Sequence, residues 1–103
     1  PVFIDFTAAW CLSCQVNKRV ALRTTAVETR FTQAGIVPMV ADWTSRNETI
    51  TRALAEFGRN SVPLYVLYPG SPDSAPIILP EILTEGIVLE ALDAVDPPRL
   101  GVK

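Results

Sequence analysis

The chain has two cysteines, Cys11 and Cys14, and their C-x-x-C spacing is the part of the sequence best suited to chemistry. Two side chains three residues apart on a helix lie on the same face, so the two sulfur atoms could meet and form a reversible disulfide. In thiol–disulfide exchange the attacking species is the thiolate. The spacing allows a redox-active dithiol, and the residues around the pair make this the favoured interpretation, with Cys11 as the nucleophile and Cys14 as the residue that resolves a mixed disulfide.

Two other interpretations of the cysteine pair remain open. A zinc site needs about four ligands, usually two such pairs or one pair with histidines. The chain has no third cysteine and no histidine, so a zinc site would need a second chain. Two buried structural thiols are the other alternative. The absence of histidine also excludes Ser–His and Cys–His nucleophile pairs.

The composition indicates a folded domain rather than a disordered segment, a nucleic-acid binder or a membrane span. Of the 103 residues, 49% are hydrophobic and 19% are charged, whereas disordered chains have fewer apolar residues and more net charge. The net charge of -2 lacks the basic excess of nucleic-acid binders. No apolar run reaches the roughly 18 residues of a membrane span. We expect one domain over residues 1–95, a loose tail over 96–103, and neither a metal nor a cofactor beyond the cysteine pair.

The hydrophobic pattern predicts the element order β-α-α-β-α-β-β-α. Strands are expected over residues 1–7, 37–41, 63–68 and 77–79. Capping boxes at Thr25-x-x-Glu28 and Ser45-x-x-Glu48 predict the second and third helices, and Thr84 is expected to cap the last. Strands alternating with helices predict an α/β fold with a parallel pair first, and the late hairpin adds antiparallel strands.

The first helix should begin at Leu12 and hold both cysteines in its first turn. Its apolar face is expected to carry Val16, Val20 and Leu22, and its solvated face Lys18, Arg19 and Arg23. Because Cys11 would lie at the start of this helix, free N–H groups and the helix dipole should lower its pKa below the usual value of roughly 8.5. Cys14 should lie deeper and titrate later.

Asp5 is the candidate acid–base residue. Alternation along the first strand places it on one face with Phe3 and Thr7, where an unpaired carboxylate is costly to bury. Desolvation should therefore raise its pKa. The alternative is an aspartate at a strand end that faces solvent.

Two separated motifs resemble the thioredoxin superfamily. The run Phe3-Ile-Asp-Phe-Thr-Ala-Ala-Trp-Cys-Leu-Ser-Cys14 precedes Ser61-Val-Pro63 by some fifty residues. Together with Ala41-Asp-Trp-Thr44 and Phe57-Gly-Arg-x-x-Val-Pro-Leu-Tyr65, they are most similar to the C-terminal periplasmic domain of DsbD/ScsB-type thiol:disulfide interchange proteins. The resemblance implies a three-layer sandwich, a mixed sheet with helices on both faces, that lacks the usual first strand and helix and belongs to a longer membrane protein.

The resemblance also implies roles for several residues. Pro63 takes the position of the family's cis-proline, and the backbone of Val62 would pair with an extended partner. Asp5 would lie under the dithiol and accept the proton of Cys14, through a water molecule. Around the sulfurs we expect Trp10 as a flanking residue and Leu12 and Ser13 as exposed residues that contact substrate. The side chain of Trp43 would either line the site or pack in the core.

The activity implied is that of a protein thiol:disulfide oxidoreductase in the periplasm. It would relay electrons from a membrane-embedded cysteine pair to periplasmic redox domains, thioredoxin-like or immunoglobulin-like. One departure is Lys18, which stands where some relatives carry an acid. Two alternatives remain: a free-standing thioredoxin-like reductant or oxidant, and a non-catalytic module that holds peptides at the edge formed by Val62 and Pro63.

Overall fold

A mixed four-stranded sheet forms the middle layer of the protein, which we describe from a computed structural model covering residues 1–70 and 73–95. The strands are β1 (Val2–Thr7), β2 (Val37–Asp42), β3 (Leu64–Tyr68) and β4 (Ile77–Ile78), in the spatial order β2-β1-β3-β4. β2 runs parallel to β1, whereas β3 is antiparallel to β1 and β4 is antiparallel to β3. The predicted parallel pair and late hairpin are therefore confirmed.

Helices cover both faces of this sheet. They are α1 (Leu12–Asn17), continued by a π-helical turn (Lys18–Leu22), then α2 (Thr25–Ala34), α3 (Glu48–Glu56) and α4 (Glu85–Leu92). The predicted element order and the α/β class are confirmed. None of the helices in the described ranges is long and apolar enough to cross a membrane. The tail predicted over 96–103 lies outside the described residues.

Two apolar cores fill the spaces between the layers. On one face of the sheet, Phe3 and Tyr65 pack with Val27 of α2 and Val88 of α4. On the other face, a second core packs the sheet against α3; its buried members are Phe6, Trp43, Leu54, Leu64 and Val66. Successive residues of a strand point to opposite faces, so β1 and β3 supply side chains to both cores.

Both predicted capping boxes begin their helices at the wrong residue. The side chain of Thr24, not Thr25, accepts a hydrogen bond from Val27 N–H and caps α2. Asn47, not Ser45, caps α3 by accepting from Ile50 N–H. Each start lies in a run of Ser, Thr or Asn residues of similar capping strength, so the sequence pattern cannot choose among them. The cap of α4 at Thr84 is as predicted.

The apolar face predicted for the first helix is wrong for Val16 and Val20, whereas Leu22 packs against the core as expected. The residues buried along α1 and its π-helical turn are Cys14, Asn17 and Ala21. Val16 and Val20 are 43% and 48% exposed. Cys14, Asn17 and Ala21 are separated by three and four residues, so they lie along one side of the helix. Two of its members are small and one is polar, so hydrophobicity alone points to the opposite side.

Candidate active site

Cys11 and Cys14 form a disulfide at the start of α1. Their Cα atoms are 5.3 Å apart, a separation that suits a disulfide. Cys11 is the N-cap residue of the helix, and its Sγ accepts a hydrogen bond from the N–H of Cys14 at 3.2 Å. Cys11 is 7% exposed and Cys14 is 0% exposed. The sulfur predicted to attack is therefore the one nearer the surface, and the predicted resolving sulfur is sealed.

The loop before β3 packs against the disulfide. The Val62–Pro63 peptide bond is cis, as the resemblance implied. The side chain of Val62 contacts a small cluster formed by Ala8, Cys11 and Cys14. Thus two segments about fifty residues apart in sequence meet at the sulfur atoms. Pairing of the Val62 backbone with an extended partner stays a prediction.

The residues next to the cysteines lie at the surface. Trp10 is 46% exposed, Leu12 is 77% exposed, and Ser13 is also exposed. Their exposure is as expected from the sequence, and contact with substrate stays a prediction. They give the surface beside Cys11 an apolar character, which suits contact with another protein.

The segment that leads to Cys11 is fastened to the end of β2. Ala9 N–H donates to Thr44 Oγ1 at 2.8 Å, and Trp10 Nε1 donates to the Thr44 carbonyl at 3.0 Å. Thr44 in turn donates from its backbone N–H and its hydroxyl to Asp42. These two hydrogen bonds lower the pKa of Asp42. The loop after β2 therefore positions the residue next to the nucleophile.

Arg46 completes this contact, and no motif in the sequence pointed to it. Its guanidinium carbon lies 4.8 Å from the ring centroid of Trp10 and 5.5 Å from that of Trp43, within the range of cation–π attraction. Arg46 has a φ of 56°, which is uncommon for a residue other than glycine. The two indole rings are 5.8 Å apart. Trp43 is 6% exposed, so it packs in the core and also supports the wall of the site.

Asp5 is buried, which excludes the solvent-facing alternative. It is 7% exposed, and its Oδ1 has no hydrogen-bond partner among the described residues. Burial raises its pKa to about 6, although the positive charges of Lys18 and Arg23 act in the opposite direction. Asp5 also lines a groove of about 350 Å³ between β2 and α2, together with Phe3 and Phe31. Proton transfer from Cys14 to this carboxylate stays a prediction.

A second opening lies next to this groove and reaches the active-site helix. It is lined by Thr7, Gln15, Lys18 and Asp42, and Val40 borders both openings. Thr7 is buried on the same face of β1 as Asp5, and its hydroxyl also lacks a hydrogen-bond partner within the described ranges. Lys18 is half-buried, whereas Arg19 and Arg23 are exposed as expected. The two openings give solvent a route toward the buried face of β1.

Asn17 anchors α1 to the rest of the fold and was given no role from the sequence. It is buried, and its Nδ2 donates to Tyr65 Oη at 2.9 Å and to the Glu81 carbonyl at 2.8 Å. Its Oδ1 accepts from Leu83 N–H at 3.0 Å. Burial also raises the pKa of Tyr65 to about 12. The available signal was its position one helical turn after Cys14, on the same side of the helix.

Comparison with known proteins identifies the fold family. A family model described as thioredoxin-like matches residues 1–70. The chain belongs to this thioredoxin-like family. No curated protein matches the chain. No group of three or more His, Cys, Asp or Glu side chains that could hold a metal occurs in the described ranges.

Solved structures show the same fold at low sequence identity. The C-terminal domain of Neisseria meningitidis DsbD in its oxidised form is 21% identical, with a TM-score of 0.73; the match covers 93% of this chain and 80% of that one. The reduced form gives a TM-score of 0.72 with 81% of that chain covered. A thioredoxin from Thermus thermophilus is 19% identical, with a TM-score of 0.67, and the match covers 89% of this chain and 70% of that one. The thioredoxin-like fold and the C-x-x-C disulfide together support thiol–disulfide oxidoreductase chemistry in general.

Proposed function

We propose that this protein is a thiol:disulfide oxidoreductase that passes electrons to periplasmic protein partners. The observation that carries the proposal is the Cys11–Cys14 disulfide at the start of α1, packed against Val62 next to the cis bond to Pro63. Cys11 is the more accessible of the two sulfurs, and its Sγ already accepts a helix N–H. That hydrogen bond favours the thiolate form of Cys11 once the disulfide is reduced.

The exchange proceeds in two steps. In the reduced protein, the Cys11 thiolate attacks one sulfur of a partner disulfide, the partner S–S bond breaks, and one partner thiolate leaves. Cys14 then loses its proton, and its thiolate attacks the Cys11 sulfur of the mixed disulfide. The second partner thiolate leaves, so the partner gains two electrons and Cys11–Cys14 becomes the disulfide again.

Asp5 is proposed as the acceptor of the Cys14 proton. Its raised pKa of about 6 places it close to neutrality, where a general base is most effective. Below that pH the carboxyl is protonated and cannot accept. Asp5→Asn should therefore leave the first attack intact and slow release of the mixed disulfide above about pH 6.

The finer proposal concerns the source and direction of the electrons. A membrane-embedded cysteine pair would reduce Cys11–Cys14 by the reverse of the same exchange, and the domain would work in the periplasm. A protein that reduces others must have a potential more negative than that of the partner disulfide, and we expect a value below about -200 mV, the side on which thioredoxins and glutaredoxins lie. Equilibration with glutathione redox buffers measures it. A value near -120 mV, typical of an oxidant, would contradict the reducing direction.

Two cysteine variants test the oxidoreductase assignment. With insulin as the disulfide substrate, Cys11→Ser should abolish reduction, and Cys14→Ser should accumulate a mixed disulfide that mass spectrometry detects. Thr49→Ser, an exposed change on α3, is the matched control and should keep full activity. Intact reductase activity in Cys11→Ser would show that the assignment is wrong. Native cysteines that resist labelling after reduction would favour the non-catalytic peptide-binding alternative.

A further inference from the structure

The exposed side of the active-site helix carries an apolar row next to the nucleophile. Leu12, Val16 and Val20 follow one another at intervals of four residues along α1 and its π-helical turn, so they lie along one side of the helix. Together with Trp10, which precedes Cys11, they form what we call the docking face. Each of the four side chains is at least 43% exposed. A row of four large exposed apolar residues that begins next to Cys11 is typical of a protein contact surface.

The charges on the active-site helix and the segments that flank it have one sign. Residues 6–27 contain Lys18, Arg19 and Arg23 but no Asp or Glu, although the whole chain has a net charge of -2. Arg46 adds a fourth positive charge against the ring of Trp10. The active-site helix is therefore positive against the overall balance, and Asp42 at the end of β2 is the acid that lies near Lys18.

These positive charges are available to a partner. Within the described ranges, the arginines that form ion pairs are Arg30, Arg52 and Arg59, and none of these three belongs to the active-site helix. Arg19 and Arg46 make no ion pair with a described residue. A second copy of this chain would bring the same positive charges against each other across a two-fold contact, which disfavours self-association through this face.

We propose that the docking face binds an apolar segment of the partner protein whose disulfide is flanked by acidic side chains. The inference rests on the proposed function and specifies which disulfides the site selects. Apolar contacts to Val16 and Val20 hold the segment beside Cys11, and Arg19 and Arg46 attract its carboxylates. Charge complementarity of this kind mainly raises the rate of encounter and rejects basic partners.

Two synthetic peptides and one small molecule test the selectivity. The peptides have equal length and one internal disulfide, with Leu and Glu next to the cysteines in one and Leu and Lys in the other. The rate at which the protein reduces each peptide is divided by the rate at which dithiothreitol reduces the same peptide. This ratio corrects for the intrinsic reactivity of the peptide disulfide. We expect the acidic peptide to be reduced about tenfold faster at low salt, and the preference to fall toward one at high ionic strength. Hydroxyethyl disulfide, which is neutral and small, reports the chemistry of Cys11 alone.

Surface variants separate the docking face from the chemistry. Val16→Ser with Val20→Ser should slow both peptides by at least about threefold, since apolar contact area is lost, and should leave hydroxyethyl disulfide unchanged. Val37→Ser on β2 is the matched control, because Val37 is exposed to a similar extent away from the cysteines. Arg19→Glu should remove or reverse the preference for the acidic peptide, and Arg52→Glu on α3 should not.

Four outcomes of these experiments would contradict the proposed docking face. Equal corrected rates for the two peptides, or loss of peptide reduction only with Val37→Ser, would overturn the docking face while leaving the oxidoreductase assignment intact. The wild-type protein could instead form dimers at high concentration that the double variant Val16→Ser with Val20→Ser no longer forms. That result would assign the docking face to a second copy of the chain and would also overturn the inference. Failure of the wild-type protein to reduce hydroxyethyl disulfide would overturn the proposed function and this inference with it.

Discussion

The two faces of β1 differ in what they bury. On one face, Phe3 is followed by Asp5 and Thr7, and both polar residues are buried. On the other face, Ile4 and Phe6 contribute only to an apolar core with α3. Asn17, the third buried polar residue in the described ranges, bonds to Tyr65, which is paired with Asp5 in the sheet register. The polar groups are thus confined to the side that faces the active-site helix.

This difference indicates that the α3 side of the sheet serves mainly stability, whereas the α1 side also serves the chemistry of the cysteines. A buried polar group without a partner costs free energy, so a fold keeps such groups where they have a task. The α3 side follows the ordinary rule for cores and should respond only to packing. The α1 side holds a carboxyl with a raised pKa and an unpaired hydroxyl, and it should respond to pH and to the redox state. Four variants test whether the two faces are separable.

The largest effect is expected on the apolar side. Leu54 is fully buried in the core against α3. Leu54→Ala should lower the free energy of unfolding by about 2–5 kcal/mol, because it leaves a cavity. Urea unfolding measures the change, and the pH dependence of Cys11 alkylation in the reduced protein should not move. A shifted alkylation profile would show that the two faces are coupled.

Asp5→Asn should change how stability depends on pH. The pKa of Asp5 is about 6 in the folded protein and 3.8 as the ordinary value, so the folded state holds the proton more tightly. Ionisation of Asp5 therefore does not affect the free energy of unfolding below about pH 3.8. Between about pH 3.8 and pH 6 it lowers the free energy of unfolding progressively, and above about pH 6 the loss stays constant. At neutral pH this cost reaches at most about 3 kcal/mol, which Asp5→Asn should recover.

Urea unfolding of both proteins between pH 4 and 8 measures this dependence. The free energy of unfolding of Asp5→Asn should increase relative to that of the wild type as the pH rises, and the difference should become constant above about pH 6. Asp42→Asn is the control, because the pKa of Asp42 is lowered rather than raised and its variant should show no such gain. A constant difference between Asp5→Asn and the wild type across this range would contradict a raised pKa for Asp5.

Asn17→Ala tests the anchor of the active-site helix. The change leaves Tyr65 Oη, Leu83 N–H and the Glu81 carbonyl without their partner. We expect a loss of about 1–3 kcal/mol in unfolding free energy and faster amide hydrogen exchange in α1. Gln15→Ala removes one hydrogen bond to the Ala8 carbonyl from the same helix and is the milder control. Equal exchange rates in the two variants would show that Asn17 does not hold α1 in place.

Thr7→Val should have the smallest effect, with a sign opposite to that of Leu54→Ala and Asn17→Ala. It removes a buried hydroxyl that has no partner in the described structure, so stability should be unchanged or rise by up to about 1 kcal/mol. Thr51→Val is the matched control, because the hydroxyl of Thr51 accepts from Trp43 Nε1 and donates to the Asn47 carbonyl. That variant should lose about 1 kcal/mol. Thermal unfolding compares the two, and a larger loss for Thr7→Val would mean that its hydroxyl has a bound partner.

Local patterns were enough for the chemistry and for the order of the elements. The spacing of Cys11 and Cys14 requires only one helical turn, and the apolar run that precedes the pair directly indicates a strand. Alternation in β1 placed Asp5 on the same face as Phe3, and burial then raises its pKa. These features depend on neighbours in sequence, so they can be read from one chain.

Contacts between distant segments were beyond local patterns. Val16 and Val20 are apolar but exposed, because Asn17 has partners in β3 and before α4 that draw the other side of the helix inward. Arg46 reaches Trp10 only because Thr44 fastens the loop after β2 to the segment before Cys11. The residue types thus specified a dithiol and its supporting strand. The side of the helix that faces a partner was set by packing, because burial is a property of the whole assembled chain.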